Sequence, residues 1–252
     1  MSNFTYSIDK SQAIPLFVQL RSIIRSQIDS GQLEPHDQLP SERELSQMYD
    51  ISRQTVRLAI NELVTQGVLY RQPGKGTYVA PPKVIQDLLH VTSFTKLILD
   101  WGKAASVKVI SCNREKAPPF VQRLLEVGEN QDVVKFERVR LIDTERVAIH
   151  RSYIPIEFGE LLLKEPAQSF SLIDYINREA GVEITHSEET MEPTIANAYE
   201  AKILQIPEGA PLQLITGHLI ANNQQPVECH KSLYRGDKFR FSFKGIMNLP
   251  TK

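Results

Sequence analysis

Leu39-Pro-Ser-Glu-Arg-Glu-Leu-Ser-Gln-Met-Tyr-Asp-Ile-Ser-Arg-Gln-Thr-Val-Arg57 holds two helix starts, at Ser41 and at Ser52. Ser41 is an N-cap, and Glu44 three residues later completes a capping box. After Ser52 the apolar residues Val56, Ala59, Ile60, Leu63 and Val64 recur on one helical face. Arg53, Gln54 and Arg57 fall on the opposite face. Two short helices so joined, the second with an exposed basic and amide face, read as a helix-turn-helix with its recognition helix.

Upstream, Ile14, Leu16, Phe17, Leu20, Ile23, Ile24 and Ile28 form a helical stripe, and Gly31 is placed to end it. Downstream, Val68–Arg71 and Thr77–Val79 are short β-prone runs around Gln-Pro-Gly-Lys-Gly, a hairpin signature. Three helices and a hairpin make a winged helix-turn-helix over residues 1–80. The tip around Lys75 is compact enough for a minor groove. Ala80-Pro-Pro-Lys83 reads as a hinge, with a linker over 81–90.

Beyond it the periodicity changes. Strands are expected at 107–111, 133–142, 147–154, 184–191, 212–221, 227–234 and 240–243, with helices at 120–126, 172–180 and 196–204. Short polar turns at 143–145 and 222–225 imply hairpins and a largely antiparallel sheet. The fold class is therefore α+β, and residues 91–252 are long enough to own a core.

The 252 residues carry a formal net charge of −1, which excludes a wholly basic, histone-like coat for nucleic acid. Residues 51–61 and 69–82 nevertheless contain basic side chains and no acids. Cys112 and Cys229 have no metal-like spacing and read as buried free thiols of a reducing compartment. No cofactor or metal is expected. The N-terminus has no signal-peptide character, and no apolar run reaches the ~20 residues of a membrane span, so a cytoplasmic chain without membrane contact is expected.

Pro15-Leu16, Leu39-Pro-Ser-Glu-Arg43, Ser52-Arg-Gln-Thr-Val-Arg57, Gly67 and Gly74-Lys-Gly-Thr-Tyr-Val79 together resemble the GntR family of bacterial transcription regulators. Ser93-Phe-Thr95, Glu137-Arg-Val-Arg140, Tyr153-Ile-Pro155, Ser171-Leu-Ile-Asp174 and Glu228–Asp237 are similar to the UTRA effector-binding domain of its HutC-type branch. That resemblance implies a chorismate-lyase-like antiparallel sheet with helices over 91–252, serving effector binding and dimerisation.

By the same resemblance Arg43, Arg53 and Arg57 face operator DNA, with Ser41, Ser52, Gln54 and Thr55 beside them. Gly74, Lys75, Gly76 and Thr77 would do so in the wing. Arginine can read guanine O6 and N7 bidentately and also neutralise phosphate. The plainer alternative is a set of solvated charges paired with nearby acids; Arg71 stands between phosphate contact and strand surface.

Arg138 and Arg140 are two apart on a strand and so share a face. They form either an anion cradle or pairs with Glu137, Glu228 or Glu188. Ser171 can cap the helix it precedes and present its amides to an anion. Resemblance to N-acetylglucosamine-utilisation repressors of the branch implies Arg138, Arg140 and Ser171 around a sugar phosphate. It also implies Ser93, Phe94, Thr95, Glu228 and Tyr234 near the ligand. His150 stands where those repressors carry glutamate, Ile173 where they carry tyrosine, and Trp101-Gly102 where a basic residue and glycine are common. His150 is thus either an effector contact or a satisfied strand histidine.

The expectation is a homodimeric repressor released from a pseudo-palindromic, double-stranded operator by a small anionic effector. A phosphorylated sugar is favoured over a carboxylate, with glucosamine 6-phosphate or its N-acetyl form leading. Two alternatives stand beside it, an effector-dependent activator and an enzyme of chorismate-lyase-like fold. No nucleophile–base pair, metal spacing or Gly-rich phosphate loop supports catalysis.

Overall fold

The structure is a computed structural model and describes residues 7–87, 93–164 and 171–243. Two compact units result, residues 1–83 with 236–238 and residues 84–235 with 239–252.

In the first unit, α1 (Leu16–Asp29) begins after Pro15, whose fixed φ suits a helix start. Gly31, at a φ of +75°, follows its end. The helix begins two residues later than the apolar stripe from Ile14 suggested. The helix pair is α2 (Glu42–Tyr49) and α3 (Arg53–Thr65), and the capping box of Ser41 and Glu44 is complete. Asp50 turns the chain between them in the left-handed region at φ 49°. Leu20, Ile24, Leu45, Val56, Ala59, Ile60 and Leu63 bury into one core.

The wing is β1 (Leu69–Gln72) paired antiparallel with β2 (Gly76–Val79). His36 and Leu39 amides donate to Val79 and Thr77 carbonyls, and Gln38 forms an isolated bridge with Tyr78, so the loop before α2 lies along β2. Gln38 Nε2 also donates to the Lys75 carbonyl at 2.8 Å. Gly76 stands at a φ of +137°, which favours glycine, and the Gln38 bond ties the wing tip to the sheet.

The second unit is a six-stranded antiparallel sheet of β4 (Ala105–Lys116), β5 (Asp132–Ile142), β6 (Glu145–Pro155), β7 (Ile184–Ile195), β8 (Pro211–Ala221) and β9 (Pro226–Arg235). The strand order is β4-β5-β6-β9-β8-β7. On one face, α4 (Phe94–Asp100) packs around Ala148 and Tyr234, while α6 (Ile156–Lys164) and α7 (Leu172–Ala180) pack around Val134, Phe136 and Ile154. On the other, α5 (Pro119–Leu125) covers Val133, Tyr153 and Cys229, and α8 (Ala198–Leu204) covers Ile149, Leu212 and Leu233.

Three elements depart from expectation. Within the stretch read as a linker, β3 (Val84–Asp87) pairs in parallel with β10 (Phe239–Ser242). Val84 is buried beside Phe239, a partner too remote in sequence for local periodicity to reveal. The rest of that linker, 88–90, lies outside the described residues, as do 91–92, where the second domain was expected to begin. The other two are α4, hidden because Ser93-Phe-Thr95 was read for ligand contact, and α6, which follows Pro155 of β6 directly with no side-chain cap to announce it. Cys229 is buried as expected, but Cys112 is only half-buried, its Sγ against the Leu162 carbonyl at 3.3 Å.

Candidate functional site

The first unit presents the N-terminus of α3. Arg53, Gln54 and Arg57 are exposed, whereas Val56, Ala59 and Ile60 turn inward, as the periodicity required. The Ser52 hydroxyl accepts from the Thr55 amide at 3.1 Å and lies 2.8 Å from the Thr55 hydroxyl. Ser41 likewise accepts from the Glu44 amide at 3.2 Å. These hydroxyls fix the helix starts.

Among the described residues, no hydrogen bond or ion pair engages the Arg53 side chain. Arg57 is different: its Nε donates to Glu42 Oε2 at 3.2 Å, and Arg71 Nη2 donates to Glu42 Oε1 at 3.2 Å. One carboxylate therefore joins α2, α3 and the wing strand. Arg57 is 65% exposed, so this pair is worth at most ~1 kcal/mol and is easily exchanged for phosphate. Gly74, Lys75 and Gly76 are exposed at the wing tip, with Thr77 half-buried. Arg43 is exposed on the first turn of α2, near enough to Glu44 to help hold that carboxyl below its usual range, behind the larger effect of Ser41.

In the second unit, the face between α4 and α7 encloses a cavity of about 100 Å³. Sheet register assembles it: Arg138 pairs with His150, His150 with Ser232, Ser152 with His230, and Ala148 with Tyr234. Arg138, Arg140, His150, Ser171, Glu228 and Tyr234 line it, together with Phe94 from α4. Ser93 and Thr95 are not in the lining. Ser93 instead caps α4, its Oγ accepting from the Lys96 amide at 3.2 Å. Ser171 caps α7, Oγ accepting from the Asp174 amide at 3.3 Å, and Leu172 and Ile173 bring that helix N-terminus to the cavity.

Of the acids proposed as partners for the two arginines, Glu228 lines the same cavity without pairing directly, and Glu188 is exposed. Glu137 points to the opposite face, where it accepts from Arg151 Nε at 2.6 Å and from the Tyr199 hydroxyl at 2.8 Å. No carboxylate of the described residues lies within ion-pair distance of Arg138 or Arg140; Glu228 acts on both only through space. Arg138 Nη2 donates to Ser152 Oγ at 3.0 Å, its guanidinium stands 4.5 Å from the Phe136 ring centroid, and its Nε finds no acceptor among the described residues. Arg140 stacks 5.2 Å from Phe94 and donates from Nε to His150 Nδ1 at 3.4 Å.

Burial pushes the Arg138 guanidinium down to about 9, reinforced by Arg140, and burial pushes Arg140 down to about 10. Both remain cationic near neutral pH. No carboxylate of the described residues pairs directly with either, and Glu228 and Glu189, which also line the cavity, offset their desolvation only in part.

His150 is 9% exposed, edge-on to Phe94 and Tyr234. Because Nδ1 accepts from Arg140, its proton sits on Nε2, which has no acceptor among the described residues. Burial, then Arg140, Arg138 and His230, depresses its pKa well below 6.5, so it folds neutral. Below pH 6.5 the unfolded chain therefore takes a proton that the folded chain refuses. Stability is unaffected above pH 6.5 and falls by about 1.4 kcal/mol per pH unit below it. Urea unfolding from pH 7 to 5 is expected to show this loss, and His150→Gln to remove this part of it.

Sequence reasoning missed Gln86, Ser152, His230 and Ser232 as lining residues. A signal existed for three of them. His150-Ser152 and Glu228-His230-Ser232-Tyr234 are polar alternations on central strands whose two faces are both covered by helices.

Residues 17–79 match the gntR family of bacterial regulatory proteins, and residues 100–240 match the UTRA domain. The transcriptional repressor NagR of Bacillus subtilis is 37% identical over 235 residues, covering 93% of this chain and 96% of that protein. The chain belongs to the GntR family, in its HutC-type branch. The histidine utilization repressor of Pseudomonas aeruginosa is 33% identical, over 80% of each chain. Among solved structures, PhnF of Mycobacterium smegmatis superposes with a TM-score of 0.65 at 26% identity, over 90% of this chain and 99% of that one. This GntR-family chain is thus a DNA-binding transcription regulator with an effector-binding domain, and not an enzyme. None of its helices is long and apolar enough, among the described residues, to cross a membrane.

Proposed function

We propose that this regulator is a homodimeric repressor, released from a pseudo-palindromic operator when a small anion, favourably a phosphorylated sugar, fills the cavity of the second domain. The observation that carries the reading is the buried pair Arg138 and Arg140, which no carboxylate of the described residues meets at ion-pair distance. Arg138, Arg140 and the α7 N-terminus at Ser171 offer charge-assisted donors suited to phosphate. The names of relatives include NagR and a mannosyl-D-glycerate transport and metabolism repressor of Escherichia coli, in keeping with a sugar-derived effector.

On DNA, Arg53, Gln54 and Arg57 enter the major groove. Ser41, Arg43, Ser52 and Thr55 hold phosphates, and Gly74–Thr77 carries Lys75 to the minor groove. Two copies read two half-sites, and the effector shifts the dimer away from its operator-binding state by its differential affinity. The test uses a labelled duplex selected from a random pool by the full-length protein. Glucosamine 6-phosphate is expected to lower the anisotropy of the complex to that of free DNA, and Arg138→Met to make the complex unresponsive.

A further inference from the structure

Three of the buried polar atoms left without a hydrogen-bond partner among the described residues belong to the wall of one cavity: Arg138 Nε, His150 Nε2 and Gln86 Oε1. The first two are donors and answer to the anion. The third is an acceptor, and an ionised phosphate or carboxylate oxygen cannot satisfy it. The Gln86 amide is engaged by hydrogen bonding with Tyr234, which leaves its carbonyl oxygen over. A buried acceptor without a donor costs about 1–3 kcal/mol, which a ligand group can return.

We infer that Gln86 is a specificity-determining residue of the effector site, its Oε1 taking a hydroxyl or amine N–H on the body of an effector whose anionic head lies on Arg138 and Arg140. This deepens the anion reading above and rests on it. The effector class is thereby narrowed to anions that also carry a hydrogen-bond donor, such as hydroxylated or amino sugar phosphates. Inorganic phosphate, whose O–H groups lie on the head itself, or a small donor-free acid would fill only the head position. Gln86 lies on β3, the first element after Ala80-Pro-Pro-Lys83, so holding Gln86 holds the strand joined by that short segment to the winged unit. Reading the ligand's body and restraining the connecting strand would then be one event.

Isothermal titration of the full-length protein with inorganic phosphate and with glucosamine 6-phosphate tests this, using Gln86→Leu beside the unaltered chain. The unaltered chain is expected to bind glucosamine 6-phosphate more tightly than phosphate. Gln86→Leu should weaken the sugar phosphate about tenfold while changing phosphate by less than about twofold, the selectivity of one lost hydrogen bond. Equal weakening of both ligands, or of neither, overturns the assignment of Gln86 and leaves the anion reading standing. No binding of either ligand to the unaltered chain overturns both. Should Gln86→Leu melt below the unaltered chain without ligand, Gln86→Glu keeps the acceptor. It should bind glucosamine 6-phosphate at least as well as the unaltered chain, and a loss there also overturns the assignment.

Discussion

Arg53→Ala is expected to weaken specific operator binding about tenfold to a hundredfold at fixed salt, the value of one bidentate base contact. The side chain is exposed on the first turn of α3 and is engaged by no acid of the described residues, so it is free to meet DNA. Its removal touches none of the buried core formed by Val56, Ala59, Ile60 and Leu63. The far-ultraviolet circular dichroism and melting temperature should therefore stay those of the unaltered chain. A mobility shift at constant ionic strength measures the loss. Unchanged specific affinity in the folded variant would remove α3 from the role of reader. Arg57 is a less clean probe, because its alanine variant also frees Glu42 from one of its two arginines.

Arg138→Met is expected to abolish effector binding and yet leave the ligand-free protein as stable as before, or more so by up to about 4 kcal/mol. Most buried charged groups would not behave in this way. Removing one partner of a buried pair strands the other, whereas Arg138 makes no direct ion pair among the described residues, feels Arg140 more strongly than Glu228, and leaves Arg140 to face Glu228 when it is removed. Methionine fills similar volume against Phe136 at the cost of one hydrogen bond to Ser152. Urea unfolding without ligand and thermal-shift titration with glucosamine 6-phosphate give the two halves of the result. A destabilisation of several kcal/mol would mean that Arg138 is held by a counter-charge and is structural.

Much of this was legible in the chain because the signals are local. Ser41 with Glu44, Ser52 before an apolar face, and Pro73-Gly74 between β-prone runs each act over a few residues, so the winged domain could be read directly. The spacing of Arg138 and Arg140 placed both on one face, and that face is the cavity's. What stayed hidden depends on pairings distant in sequence. The pairing of β3 with β10 joins segments some 150 residues apart, and with it Gln86 reaches the cavity. Whether Arg138 and Arg140 were paired with acids was equally closed to sequence. Glu137 is adjacent to Arg138 in the chain yet lies across the sheet from it, bound to Arg151. Ser93 shows the opposite error: a residue read for ligand contact is occupied in capping α4.

The central claim is that an anion seated on Arg138 and Arg140 controls DNA binding by the helix that carries Arg53. Anisotropy of the operator complex during a glucosamine 6-phosphate titration tests it most directly, with inorganic phosphate and a small carboxylate run alongside. The account predicts saturable release of DNA from the unaltered protein and none from Arg138→Met. An operator complex that holds at saturating concentrations of every anion, or an Arg138→Met variant that releases DNA as the unaltered chain does, would contradict it.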